Sequence, residues 1–228
     1  MTEVERLDVR LERGAIELDE VIEMARMLAV HLDAEHAAGR VDGAIVPSRI
    51  EIRVGGAPKL LPPEPHHRGQ KAYIAHEVWG IDPTPASDQF AMAAILYEAL
   101  CGGRAFPGDD SAKIRVSITT GSRVPLAARV PGLADAVDDV FTRAFAVEPS
   151  ERFPSCASFA DELVSAMERS RDAARVLVQK PSSRPPGSRP MSRMTNWDDE
   201  DTPIPWLKVA VGLVLLAAIA ALLALASK

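Results

Sequence analysis

Apolar positions recur along the chain with two periods, and the change from one to the other marks out most of the predicted elements. From Asp19 onward, Val21, Ile22, Ala25, Leu28, Ala29 and Leu32 fall on one stripe of a helix, with acids in its first turn favouring the dipole, so a long amphipathic helix is predicted to end near Gly39. Residues 50–61, IEIRVGGAPKLL, alternate apolar and polar positions around Gly55-Gly56, the pattern of a small β-hairpin. The stretch 88–103 is apolar on nearly every face until Gly102-Gly103 stops it, which predicts a helix surrounded by protein. Segments 110–120, 133–146 and 156–168 complete the helical set.

A different pattern takes over after this region. Residues 169–205 are rich in proline, serine and charge and cannot bury enough apolar surface to offset chain ordering, so a flexible linker is predicted. Residues 209–226 are apolar or glycine throughout, about 27 Å of helix at ~1.5 Å per residue. Adding Trp206 and Leu207 gives a predicted transmembrane helix over 206–226, with Trp206 at headgroup level and Lys208 snorkelling outward. Lys180, Arg184, Arg189, Arg193 and Lys208 precede this span and only Ser227 and Lys228 follow it. The positive-inside bias therefore puts the globular part in the cytoplasm, at the inner face of a single-pass membrane anchor.

Composition narrows the function classes. A net charge of −6 and the lack of a basic stretch interleaved with aromatics speak against nucleic-acid binding. The two cysteines, Cys101 and Cys156, form no metal-ligand motif and read as small core residues. His66-His67 points its two rings apart, and His31 and His36 do not share a helix face, so no metal site is expected from the spacing.

Four stretches, taken in order, resemble the C-terminal lobe of bacterial eukaryotic-like (Hanks-type) serine/threonine protein kinases over residues 8–168. They are HLDAEHAAG; VPSRIEI with KLL; AYIAHE; and SDQFAMAAILYEALCGGRAFPGDD followed by VEPSERFPS. The fold class implied is mainly α (α+β), a kinase-like C-terminal lobe with a small β-hairpin, followed by the transmembrane helix. The resemblance assigns Glu77 and Arg152 to a buried structural ion pair. It sets Asp88 at the start of the central helix, accepting hydrogen bonds from the backbone of the catalytic loop.

The same resemblance shows what has been replaced. Phosphoryl transfer needs carboxylates and an amide on magnesium and an aspartate that orients the attacking hydroxyl. Residues 42–49, DGAIVPSR, fall where the family carries its catalytic loop: Ala44 stands for the catalytic Asp, Val46 for the Lys and Arg49 for the magnesium-binding Asn. Pro62 stands where the metal-binding Asp of Asp-Phe-Gly belongs. His76 replaces the Pro of Ala-Pro-Glu, and between 62 and 76 the only hydroxyl is that of Tyr73. About twenty residues precede the first long helix, several-fold fewer than the family's nucleotide-gripping lobe requires. The expectation is a membrane-tethered pseudokinase with absent or weak ATP and Mg2+ binding, acting as an interaction module. Its partners would be the lipid bilayer and a protein: a full kinase, a second copy or another membrane protein. The alternative is an atypical serine/threonine kinase.

Overall fold

The computed structural model describes residues 4–53, 56–63, 71–108, 110–130, 133 and 135–179. Strand β1 (Val4–Arg6) leads into a short helix α1 (Leu7–Leu11) and the long helix α2 (Leu18–Ala37), after which come β2 (Ile50–Arg53) and β3 (Gly56–Leu60). Helices α3 (Pro85–Cys101), α4 (Ser111–Thr119), α5 (Asp135–Ala144) and α6 (Cys156–Gln179) follow.

Helix α2 buries Val21, Ile22, Met24, Ala25, Leu28, Ala29 and Leu32, the stripe its sequence period predicts, against α3 and α6. Helix α3 is set more firmly at its ends. Pro85 occupies the first turn, where its missing N–H costs nothing, and Thr84 and Ser87 exchange side-chain and backbone hydrogen bonds in a capping box. Gly102 closes the helix at φ +68°. A Cβ there would lie 2.9 Å from the Ala15 nitrogen, so only glycine lets the α1–α2 connection pass this close.

Because α3 is apolar all round, it forms the middle of the core. Phe90 and Tyr97 on α3 meet Phe106, Phe141 and Phe145 with ring centroids 5.0–6.3 Å apart, mostly edge-to-face. Each fully buried ring contributes roughly 2–3 kcal/mol of apolar burial. Phe159, Leu163 and Met167 of α6 extend this core toward α2 and α5.

Three elements differ from the sequence expectation, the short helix α1 having no predicted counterpart. The predicted hairpin is the inner and outer part of a three-stranded antiparallel sheet, ordered β1-β2-β3, in which Glu5 faces Ile52 and Ile50 faces Leu60. Three residues reading Val-Glu-Arg carry no alternation signal of their own, and pairing with β2 is what makes them a strand. Helix α6 continues to Gln179, into the stretch predicted as linker. Nothing between 168 and 179 breaks a helix, the next proline being Pro181. No helix among the described residues is long and apolar enough to cross a membrane. The predicted span 206–226, with Trp206 and Lys208, lies outside the described residues.

Candidate functional site

The loop 42–49 is held from below by α3. Asp88, in the first turn of that helix and 1% exposed, accepts 2.7 Å and 2.9 Å hydrogen bonds from the backbone N–H groups of Gly43 and Asp42. Its Oδ2 also lies 2.9 Å from His36 Nε2 on α2. A carboxylate in a first helical turn gains from the dipole, and two main-chain donors fix its orientation. Gly43 turns the loop at φ +67°, against Pro83, whose ring would lie 2.6 Å from any Cβ added at position 43.

Arg49 dominates the rest of the loop. Its side chain is 4% exposed, and the guanidinium uses all five N–H groups. Nη1 donates to Asp42 Oδ1 (2.5 Å) and to the Ala44 carbonyl (3.0 Å); Nη2 donates to Asp42 Oδ2 (2.7 Å) and to the Leu61 carbonyl (2.7 Å); Nε donates to the Leu61 carbonyl (3.1 Å). Arg49 thus clamps the start of the loop to the end of β3. Asp42 also accepts from the Ala44 N–H at 3.2 Å, so both its oxygens are engaged. Val46 is fully buried in the core, where a lysine's charge would be costly, and Pro62 is exposed.

A second arginine is built the same way. Arg152, after α5, donates from Nη1 to Glu77 Oε1 (2.6 Å) and the Ala86 carbonyl (2.9 Å). Its Nη2 donates to Glu77 Oε2 (3.0 Å) and the Val147 carbonyl (3.4 Å), and its Nε to the Ala146 carbonyl (2.9 Å). The guanidinium also lies 5.2 Å from the Phe90 ring centroid. Beside it, Gln89 donates to the Phe153 and Ser155 carbonyls and accepts from the Phe153 N–H. Tyr73, the hydroxyl of the 62–76 segment, is buried and donates to Glu98 Oε2. Burial first, and the Glu98 charge second, push its phenol well above the usual range.

Asp42, Gln89 and Asp33 were not singled out by the sequence, and His36 was weighed there only as a metal ligand and set aside. For Gln89 a signal existed: a polar residue in a helix apolar on nearly every face must find partners.

The chemistry the arrangement offers is limited. The loop's carboxylate is committed to an internal cation, Ala44 has no proton acceptor, and a guanidinium occupies the position the resemblance gives to a magnesium ligand. These residues do not fit a magnesium ion, since a fixed positive charge repels one and supplies no oxygen donor.

No protein-family model matches the chain. Among solved structures, the kinase domain of PknI from Mycobacterium tuberculosis superposes with a TM-score of 0.57 at 23% identity, covering 73% of this chain and 64% of that one. Rad53, solved in complex with AMP-PNP, gives 0.61 at 21% identity, covering 69% of this chain and 43% of that one. The fold is protein-kinase-like. By sequence, this kinase-like chain is similar to the serine/threonine-protein kinase PknA of Mycobacterium tuberculosis, 29% identical over 77% of the chain, and to PknE of the same species, 25% identical over 85%. Its homologues are thus bacterial Hanks-type serine/threonine kinases at modest identity. The chain spans about two-fifths of the length of these curated relatives, 42% of PknA and 37% of PknE.

Proposed function

We propose that this kinase-like chain is a pseudokinase: a C-terminal-lobe scaffold, tethered to the inner face of the cytoplasmic membrane by residues 206–226, that serves signalling as a non-catalytic interaction or regulatory module. The observation that carries the reading is Arg49. Its five donors are all satisfied within the loop and β3, so the place where a kinase gathers magnesium holds a cation belonging to the chain. Ala44 removes the group that would orient an attacking hydroxyl, and Pro62 supplies no carboxylate in compensation. ATP and Mg2+ binding is therefore absent or weak, and the role left is to hold a partner: a full kinase, a second copy, or another membrane protein.

The test uses the full-length chain in detergent. Thermal unfolding is followed with millimolar ATP and Mg2+, and phosphate transfer from radiolabelled ATP to a generic protein substrate is measured alongside. A ligand bound only to the folded state must raise the midpoint, so an unchanged midpoint and no label are expected. A saturable rise with label transfer would overturn the proposal. Membrane tethering is checked separately by resistance of the chain to alkaline extraction from membranes, and the partner by crosslinking in those membranes.

A second reading, an atypical serine/threonine kinase, has one observation in its favour: the sequence relatives are named as serine/threonine kinases. The label-transfer experiment separates the two.

A further inference from the structure

Beside Asp88, three side chains of different chemistry converge. Asp33 and His36, near the end of α2, and Cys156, at the start of α6, bring one carboxylate oxygen, one ring nitrogen and one sulfur within 4.8 Å of one another. We propose that Asp33, His36 and Cys156 bind a zinc ion, with the fourth position open to the groove beside them.

Geometry supports the set. His36 Nε2 faces Asp88 Oδ2 at 2.9 Å, and Asp88 already accepts from two backbone N–H groups, so the ring proton belongs on Nε2. That leaves Nδ1 as the lone-pair nitrogen, and it points at Asp33 Oδ1, 3.9 Å away. A histidine whose far nitrogen donates to a carboxylate is the usual arrangement around a ligating imidazole, which fixes its tautomer and raises its basicity. Asp33 is oriented in the same manner, its two oxygens accepting 2.9 Å hydrogen bonds from the Cys156 and Ala157 N–H groups. Tetrahedral zinc with bond lengths of ~2.0–2.3 Å needs ligand atoms roughly 3.3–3.8 Å apart, close to the 3.9 Å between His36 Nδ1 and Asp33 Oδ1.

Charge supports it independently. Asp33 and Asp88 share a single imidazole, and no lysine or arginine among the described residues is hydrogen-bonded to either. Two carboxylates in this setting favour a cation. On binding zinc the Cys156 thiol yields its proton to solvent and the thiolate coordinates. The mixed nitrogen, oxygen and sulfur donors suit zinc better than magnesium or calcium. The groove, about 890 Å3 and lined also by Gln89, Phe153, Arg143 and the Glu77-paired Arg152, gives entry for the ion and room for a water as fourth ligand.

The experiment titrates Co2+ into the chelator-treated full-length chain in detergent and then displaces it with Zn2+. Expected are a thiolate-to-cobalt absorption band saturating at one equivalent, its loss on adding Zn2+, and release of a proton. The band should persist in Cys101→Ser and in a His66→Ala, His67→Ala variant, and vanish in Cys156→Ser. Should Cys156→Ser not fold, Asp33→Asn must weaken Co2+ binding roughly tenfold or more. No thiolate band in the unsubstituted chain, or a band that survives Cys156→Ser or is lost in Cys101→Ser, overturns the proposal.

Discussion

Replacing Arg49 by methionine should unfold the loop's clamp while leaving its volume nearly intact. The substitution removes five hydrogen bonds at once: two from the Asp42 carboxylate, one from the Ala44 carbonyl and two from the Leu61 carbonyl. Asp42, whose side chain is 10% exposed, would keep only its 3.2 Å bond from the Ala44 N–H and would stand as a largely buried charge without a counter-ion. Breaking one side of such a pair costs ~3–5 kcal/mol. Against a domain stability of ~5–15 kcal/mol that is a large fraction, and at ~2–4 °C per kcal/mol for a unit of this size the midpoint should fall by roughly 10 °C. Circular dichroism melts of the full-length chain measure it. The decisive arm is the double variant Arg49→Met with Asp42→Leu, which removes both charges together. Since a buried pair exchanged for apolar groups is often neutral, the double variant should recover most of the loss, with a coupling of ~2–3 kcal/mol. A single substitution costing under ~1 kcal/mol, or a double variant as unstable as the two singles added, would refute the view that Arg49 and Asp42 act as a closed pair.

Three further outcomes follow from the same geometry. Glu77→Gln should lower stability by about 3 kcal/mol in urea unfolding, because Arg152 keeps its carbonyl partners and loses its counter-charge; Arg152→Lys should not be tolerated better, since an ammonium cannot make five planar bonds. Gly102→Ala should cost about 2 kcal/mol or more, the left-handed backbone at φ +68° adding to a close approach of 2.9 Å to Ala15. Gly121→Ala, at φ +64° with open space around it, should lose only the ~1–2 kcal/mol of the backbone preference. At alkaline pH, Tyr97 is the group to watch: burial raises its phenol from the model-peptide value near 10 to about 12 while its hydroxyl donates to the Val124 carbonyl. A raised folded value means the neutral form is favoured on folding. This stabilisation is thus full below pH ~10 and is lost as pH rises toward about 12; Tyr97→Phe should flatten that part of a melting-temperature profile.

Helices α2, α3, α5 and α6 were legible because each has a periodic apolar face or, in α3, a continuous one with a glycine stop, whereas the five-residue α1 is too short to show a period. Strand β1 was not, because three residues with mostly exposed side chains carry no pattern and exist as a strand only through pairing with β2. At the site, the resemblance directed attention to Asp88, Glu77 and Arg152, and the structure brings Glu77 and Arg152 together and sets Asp88 against the loop. What the sequence hid was partnership. Arg49 read as the loss of a magnesium ligand, whereas its gain, the bridge to Asp42 and Leu61, depends on a loop path and a hairpin register that no local pattern encodes. His36 likewise read as a lone ring, its carboxylate partner lying 52 positions further along the chain.

Asp88 grips the loop through main-chain N–H groups, a feature every residue except proline possesses. The contour of residues 42 and 43 is therefore indifferent to which side chain stands at 44. Contour and reactivity along this loop therefore rest on separate atoms, the one on peptide groups gripped by Asp88 and the other on whatever side chain position 44 carries.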